Sequence, residues 1–188
     1  MLEFCFSLLL WSVLGLAQAQ TWQHDFHQNI NFTCPTDQIL SRLESEHDNK
    51  HQDRRWYLQC TKPKLASVTN CEWNGIGYVN DWDGFMLYQC SDDKVISGIM
   101  SVFDGYHKDR RYRFYCCDVA DSVAHSCAFT SYQNDYNRKL DYEVPNGWAI
   151  KGVFSHHWNN PHEDRRFKFE ICKLDSLQCE RPDNDILE

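Results

Sequence analysis

Three segments of the chain alternate apolar and polar residues with a period of two. The first puts Arg54, Trp56, Leu58 and Cys60 on one face and Asp53, Arg55, Tyr57 and Gln59 on the other. The second sets Arg110, Tyr112, Phe114 and Cys116 against Asp109, Arg111, Arg113 and Tyr115. The third sets Arg165, Phe167, Phe169 and Ile171 against Asp164, Arg166, Lys168 and Glu170. A two-residue period marks half-buried strands, the first set of each facing a core and the second mostly facing water. Each segment opens with Asp-Arg-Arg-aromatic, at Asp53, Asp109 and Asp164, with spacings of 56 and 55 residues. Such even recurrence is an internal repeat.

The rest of each unit falls into register. Asp25-Phe26, Asp81-Trp82 and Asp135-Tyr136 open the units, and Cys34, Cys90 and Val144 follow at the same offset. Apolar strands begin at Ile39-Leu40, Val95-Ile96 and Ala149-Ile150, and a polar, His-rich loop precedes each Asp-Arg-Arg. No segment carries a helical stripe. The sequence predicts an all-β fold with a pseudo-threefold internal repeat, of units at about 22–70, 71–126 and 127–180 in a single domain over 20–188. A β-prism-like set of three sheets, each with one buried face, is the preferred arrangement; a β-trefoil is the alternative.

The N-terminus changes the setting. Leu8 to Leu16 is an apolar core followed by Ala17-Gln18-Ala19, so 1–19 reads as a secretory signal peptide cleaved before Gln20. Its apolar run is short for a membrane span. Of ten Cys, Cys5 leaves with the signal; the other nine imply a disulfide framework in an oxidising compartment, with one thiol left over. No Cys-x-x-Cys pair occurs, which argues against zinc ribbons and thioredoxin-like chemistry. The net charge of −8 makes nucleic acid a poor partner.

The motif Asp-Arg-x-aromatic-x-aromatic-x-Cys, with Cys116 and Cys117 adjacent, resembles the dermatopontin family. Val79-Asn80-Asp81-Trp82-Asp83 and His162-Glu163-Asp164-Arg165-Arg166 look most like its invertebrate haemagglutinin and amebocyte aggregation factor branch. The resemblance covers about residues 22 to 180. It implies a secreted, non-enzymatic, disulfide-bonded protein. It also implies the pairs Cys34–Cys60, Cys71–Cys116, Cys90–Cys117 and Cys127–Cys172. A fifth family pair would join Cys179 to the position held here by Val123, so Cys179 is expected to be unpaired, either bridging two molecules or remaining a buried or capped thiol. Val144 and Ile171 stand where the first unit has Cys34 and Cys60, as expected if those positions face each other in the core. A bridge across the Cys34–Cys60 spacing contributes ~3 kcal/mol by restricting the unfolded chain. The Tyr-rich N-terminal segment of the vertebrate branch is missing, since Gln20 to Gln52 holds no Tyr.

Several residues carry candidate chemistry. Arg54, Arg110 and Arg165 lie on the apolar face and need a partner there. Asp25, Asp81 and Asp135 are the expected partners in a repeated structural ion pair; the competing reading is a glycan or sulfate site repeated three times. Arg55, Arg111 and Arg166, with Asp53, Asp109 and Asp164, are expected to point outward and are the candidate ligand-binding residues. Arg113 and Lys168 extend them into a basic patch suited to sulfate, because Arg forks match its oxygens; solvated strand charges are the plainer reading. His47, His51, His107, His156, His157 and His162, with Asp48 and Glu163, match no standard metal-site spacing, so no metal and no cofactor is expected. Tyr106 and Trp158 in the same loops suit a sugar platform. Asn31 is the one Asn-x-Ser/Thr site, on the outward side of its strand.

No nucleophile elbow, zincin or P-loop motif is present, so an enzyme is not expected. The sequence points to a secreted adhesion or agglutination protein recognising cell-surface or matrix glycans, including glycosaminoglycan and proteoglycan, through multivalency. The alternative is a matrix-organising protein that binds collagen or proteoglycan through protein surfaces. Neither reading involves membrane insertion; Cys179 would be the route to a homo-oligomer.

Overall fold

The computed structural model describes residues 22–63 and 67–176. The signal segment and Cys179 lie outside them. Eleven strands and no helix occur among the described residues: β1 (Ile30–Thr33), β2 (Ile39–Asp48), β3 (Asp53–Thr61), β4 (Val68–Trp73), β5 (Met86–Gln89), β6 (Val95–Asp104), β7 (Asp109–Val119), β8 (Ser122–Phe129), β9 (Leu140–Glu143), β10 (Trp148–Trp158) and β11 (Asp164–Ser176).

The alternating segments are β3, β7 and β11, and each pairs antiparallel with the strand before it: β2–β3, β6–β7 and β10–β11. The short strand of each unit does not join its own hairpin. β1 adds to β6, β5 adds to β10, and β9 returns to β2. Each sheet therefore draws strands from two units, and the third unit closes back onto the first. β4 and β8 extend two of the sheets beyond β7 and β11. The result is three separate sheets of four, four and three strands, as the prism-like arrangement requires. The register of each hairpin slips at an equivalent place, after Leu40, Ile96 and Ile150. Such bulges bend the strand. At two of them the arriving strand comes so close that only glycine fits: a Cβ on Gly98 would sit 2.6 Å from the Phe32 carbonyl, and one on Gly152 would sit 2.7 Å from that of Tyr88.

The core follows from the two-residue period. Trp56, Tyr112 and Phe167, one from each sheet, meet edge-to-face with centroids 5.2 to 6.5 Å apart. Such pairs add about 0.5–1.5 kcal/mol each beyond their burial. The next inward positions, Leu58, Phe114 and Phe169, are buried with them, and Leu40, Leu43, Ile96, Ile99, Ile150 and Val153 fill the core from the partner strands.

The expected pairing of the adjacent cysteines is corrected by strand alternation. The bridges are Cys34–Cys60, Cys90–Cys116, Cys71–Cys117 and Cys127–Cys172, not Cys71–Cys116 and Cys90–Cys117. Cys116 shares the inward face of β7 with Tyr112 and Phe114, so it reaches buried Cys90 and repeats the Cys34–Cys60 bridge, with the same separation of 26 residues. Cys117 points to the opposite face, towards Cys71 on β4. In the third unit Val144 and Ile171 pack against the core in place of a bridge.

Candidate ligand-binding site

The first Arg of each motif is buried, as the alternation requires, but its partner is not the Asp that opens its unit. Arg110 clasps Asp53 through Nε and Nη2 at 2.6 and 2.7 Å. Arg165 clasps Asp109 at 2.6 Å through both nitrogens, and Arg54 clasps Asp164 at 2.6 and 2.7 Å. Each Arg is thus paired with the motif Asp of the preceding unit, and Arg54 closes the cycle. All six side chains are at most 3 % exposed.

Two expectations are corrected by this ring. Asp53, Asp109 and Asp164 do not point outward. The residue before each of them, Gln52, Lys108 or Glu163, has a positive φ of 45 to 51°, and this left-handed step breaks the two-residue alternation at the head of the strand. Asp25, Asp81 and Asp135 are exposed and take no part in the ion pairs. They open turns instead, accepting from Gln28, Gly84 and Arg138 N–H. Within these turns the N–H of His27, Asp83 and Asn137 donates to the motif Asp of the same unit at 2.7 to 2.9 Å. The carbonyls of Gln28, Gly84 and Arg138 accept from the next unit's Arg at 2.9 to 3.0 Å. The ion pairs and the Arg-to-carbonyl bonds therefore each span two units.

The second Arg of each motif behaves as expected and lies half-buried on the outer sheet face. Each is sandwiched between two rings. Arg55 Cζ lies 4.4 Å from Trp22 and 5.2 Å from Phe26. Arg111 lies 4.4 Å from both Tyr78 and Trp82, and Arg166 lies 4.2 Å from Tyr132 and 4.5 Å from Tyr136. Cation–π attraction of about 0.5–2 kcal/mol per ring fixes the guanidinium in place. An imidazole caps each sandwich: His51 stacks on Phe26 at 4.7 Å, His107 on Trp82 at 5.5 Å and His162 on Tyr136 at 5.1 Å. Three of the loop His residues thus belong to aromatic columns. The spacing aromatic-x-x-Asp-aromatic at Trp22, Tyr78 and Tyr132 was the available signal for these columns, and reading only the Asp-aromatic pairs missed it. Exposed Tyr106 and Trp158 stand edge-on to the His107 and His162 caps.

The columns differ in charge balance. Arg55 Nε donates to Glu46 at 2.6 Å, which neutralises it. The strand partners of Arg111 and Arg166 are Val102 and His156, so neither Arg has a carboxylate partner among the described residues. Their Nε atoms lack any hydrogen-bond partner. Burial and the Arg166 charge hold His156 below the ordinary imidazole value, so it adds no cation near neutral pH. Arg113 and Lys168 continue the two outer faces, over Trp73 and Tyr132. Asn31 is exposed on β1.

His47 and His157 point inward instead, the second almost wholly buried. Burial pushes His47 below the ordinary imidazole value. His24 is depressed for the same reason, with Arg110 adding to it. His24 Nε2 accepts from Trp56 N–H at 3.2 Å, capping the open edge of β3. Asn80 and Asn134 do the same for Tyr112 and Phe167.

A family model described as Dermatopontin matches residues 24–177. The chain is 34 % identical over 169 residues to the hemagglutinin/amebocyte aggregation factor of Limulus polyphemus, covering 89 % of this chain and 94 % of that one. It is 34 % identical over 158 residues to Millepora cytotoxin-1 of Millepora dichotoma, covering 84 % and 69 %. It is 36 % identical over 146 residues to the dermatopontin of Biomphalaria glabrata, covering 78 % and 95 %. No solved structure matches it. The chain belongs to the dermatopontin family.

Proposed function

We propose that this is a secreted, non-enzymatic adhesion or agglutination protein that recognises anionic glycans through the columns at Arg111 and Arg166. One observation carries the reading. These two guanidinium groups are held between aromatic rings with no carboxylate to satisfy them, whereas Arg55 is neutralised by Glu46. A sulfate or uronate accepts from a preorganised fork, while the sugar's apolar face stacks on an exposed ring such as Tyr106 or Trp158. Two such columns on one rigid scaffold supply the bivalency that crosslinking needs. The homologous agglutination factor supports the same reading. Arg111→Met and Arg166→Met, each alone, should keep heparin binding but lose agglutination; the double variant should lose both, and Arg55→Met should lose neither. A double variant that agglutinates like the parent would refute it.

A second reading has its own observation. Phe85, Leu87 and Phe129 are 67 %, 64 % and 42 % exposed along one outer sheet face. Such an apolar surface suits a matrix protein partner, collagen or proteoglycan core. It predicts binding that survives enzymatic removal of the partner's glycans.

A further inference from the structure

The junctions between units are alike in backbone and unlike in chemistry. Where the turn of one unit meets the hairpin of the next, the first junction stacks His27 on Phe103 at 4.5 Å. The second sets Asp83 against His157, with Nδ1 3.5 Å from Asp83 Oδ1. The third has Asn137 and His47 at the corresponding places.

In the second junction three acceptor atoms converge. One from each of Asp83, Asp109 and His157 lie within 4.8 Å of one another, and Asp109 and His157 are each only 3 % exposed. His157 Nδ1 is 2.8 Å from Asn159 Oδ1. An amide oxygen accepts, so Nδ1 carries a proton, and Nε2 is the ring nitrogen whose lone pair is open to a metal. That Nε2 lies 3.8 Å from Asp109 Oδ1 and has no hydrogen-bond partner. Asp83 Oδ1 is also buried and unpartnered. Asp109 accepts from Arg165 twice and from Asp83 N–H once, which leaves an acceptor site on Oδ1. The lone pairs of Nε2 and Asp109 Oδ1 face each other in a buried place, and a positive charge between them would relieve that.

We propose that Asp83, Asp109 and His157 form a binding site for one divalent transition-metal ion of the zinc type, a site distinct from the glycan columns. One imidazole nitrogen and two carboxylate oxygens suit zinc, whereas calcium takes six to eight oxygens. Zinc ligands at about 2.1 Å stand about 3.4 Å apart at tetrahedral angles; His157 Nε2 and Asp109 Oδ1 are 3.8 Å apart, and the Asp83 carboxylate, within 4.8 Å of the other ligand atoms, closes the rest by side-chain rotation. Arg165 and Asn159 would orient two of the ligands from behind. His107 Nδ1, 3.0 Å from Asp83 Oδ2, would do the same for the third.

The other junctions supply variants that the fold already accepts. Asp83→Asn installs the residue type of Asn137, and His157→Phe that of Phe103. The test is calorimetric titration of the disulfide-intact, chelator-stripped protein with Zn²⁺, and visible spectroscopy with Co²⁺. The parent should take up one equivalent and show tetrahedral Co²⁺ bands. Each variant should bind at least about tenfold more weakly while keeping the parent's metal-free urea midpoint. His125→Ala, which removes the exposed His125–Asp175 pair, should bind as the parent does. No stoichiometric uptake by the parent, uptake that survives both junction variants, or uptake lost with His125 would each overturn the proposal.

Discussion

Removing one charge from the buried ring should cost a large share of the stability. Asp53 accepts four hydrogen bonds, from Arg110 Nε and Nη2 and from the N–H groups of His27 and Arg54. Its side chain is 1 % exposed and that of Arg110 is 3 % exposed. Asp53→Asn keeps the shape but turns an amide donor against these donors and leaves Arg110 buried without its counter-charge. Breaking a buried pair in this way costs about 3–5 kcal/mol, against a total of about 5–15 kcal/mol for a domain. The melting temperature should fall by roughly 6–20 °C. Arg110→Met strands the carboxylate and should cost about as much. The double variant Asp53→Leu/Arg110→Met leaves no unpaired charge, but the backbone groups of Gln28, His27 and Arg54 lose a partner. It should cost about as much as either single change, giving a coupling energy of about 3 kcal/mol. Equilibrium urea unfolding with the disulfides intact measures all three. Single variants within about 1 kcal/mol of the parent, or additive losses in the double, would refute the ring as a desolvated inter-unit clasp.

Two further outcomes follow from the same contacts. His24 has an imidazole value below the ordinary 6.5, so the unfolded chain binds the proton more readily; its contribution is full above about pH 6.5 and falls as pH drops from there through the folded value. His24→Asn, which copies Asn80 and Asn134, should flatten that acid limb while changing stability at pH 7 by no more than about 1 kcal/mol, as read by urea midpoints across pH 5 to 8. Electron-transfer fragmentation between Cys116 and Cys117 should place Cys90 on Cys116 and Cys71 on Cys117; the opposite assignment would contradict the facing of β7.

Much of this was legible in the alternation. It located β3, β7 and β11, sent Arg54, Arg110 and Arg165 inward, and left Arg55, Arg111 and Arg166 on the outer face. It failed where a backbone step breaks the period. The positive φ at Gln52, Lys108 and Glu163 turns the following Asp into the core, and nothing in the composition of that loop announces it. Partner identity failed for a second reason. Arg110 and Asp53 are 57 residues apart and Arg54 and Asp164 are 110 apart. A strand that joins the next unit's hairpin brings each Arg to the preceding unit's Asp, and local spacing carries no record of that exchange. The cysteines were legible in principle: the equal separations of Cys34–Cys60 and Cys90–Cys116, with Cys116 on the apolar face, already matched the bridge that forms.

The comparison of units with one another separates scaffold from function. Asp53, Asp109 and Asp164 each hold the next unit's Arg and a turn N–H of their own unit, because the cyclic exchange imposes one geometry on each junction. The same geometry tolerates Glu46, Val102 or His156 beside the second Arg, and His27, Asp83 or Asn137 in the turn. The backbone does not need these choices, since a sibling unit adopts the same hydrogen bonds without them. Their effects are electrostatic and local: a guanidinium neutralised in one unit and open in two, and two carboxylates gathered beside an unpartnered imidazole nitrogen at the second junction. Repeated residues therefore explain how the chain holds together, and the positions at which the repeats diverge are where ligand chemistry should be sought.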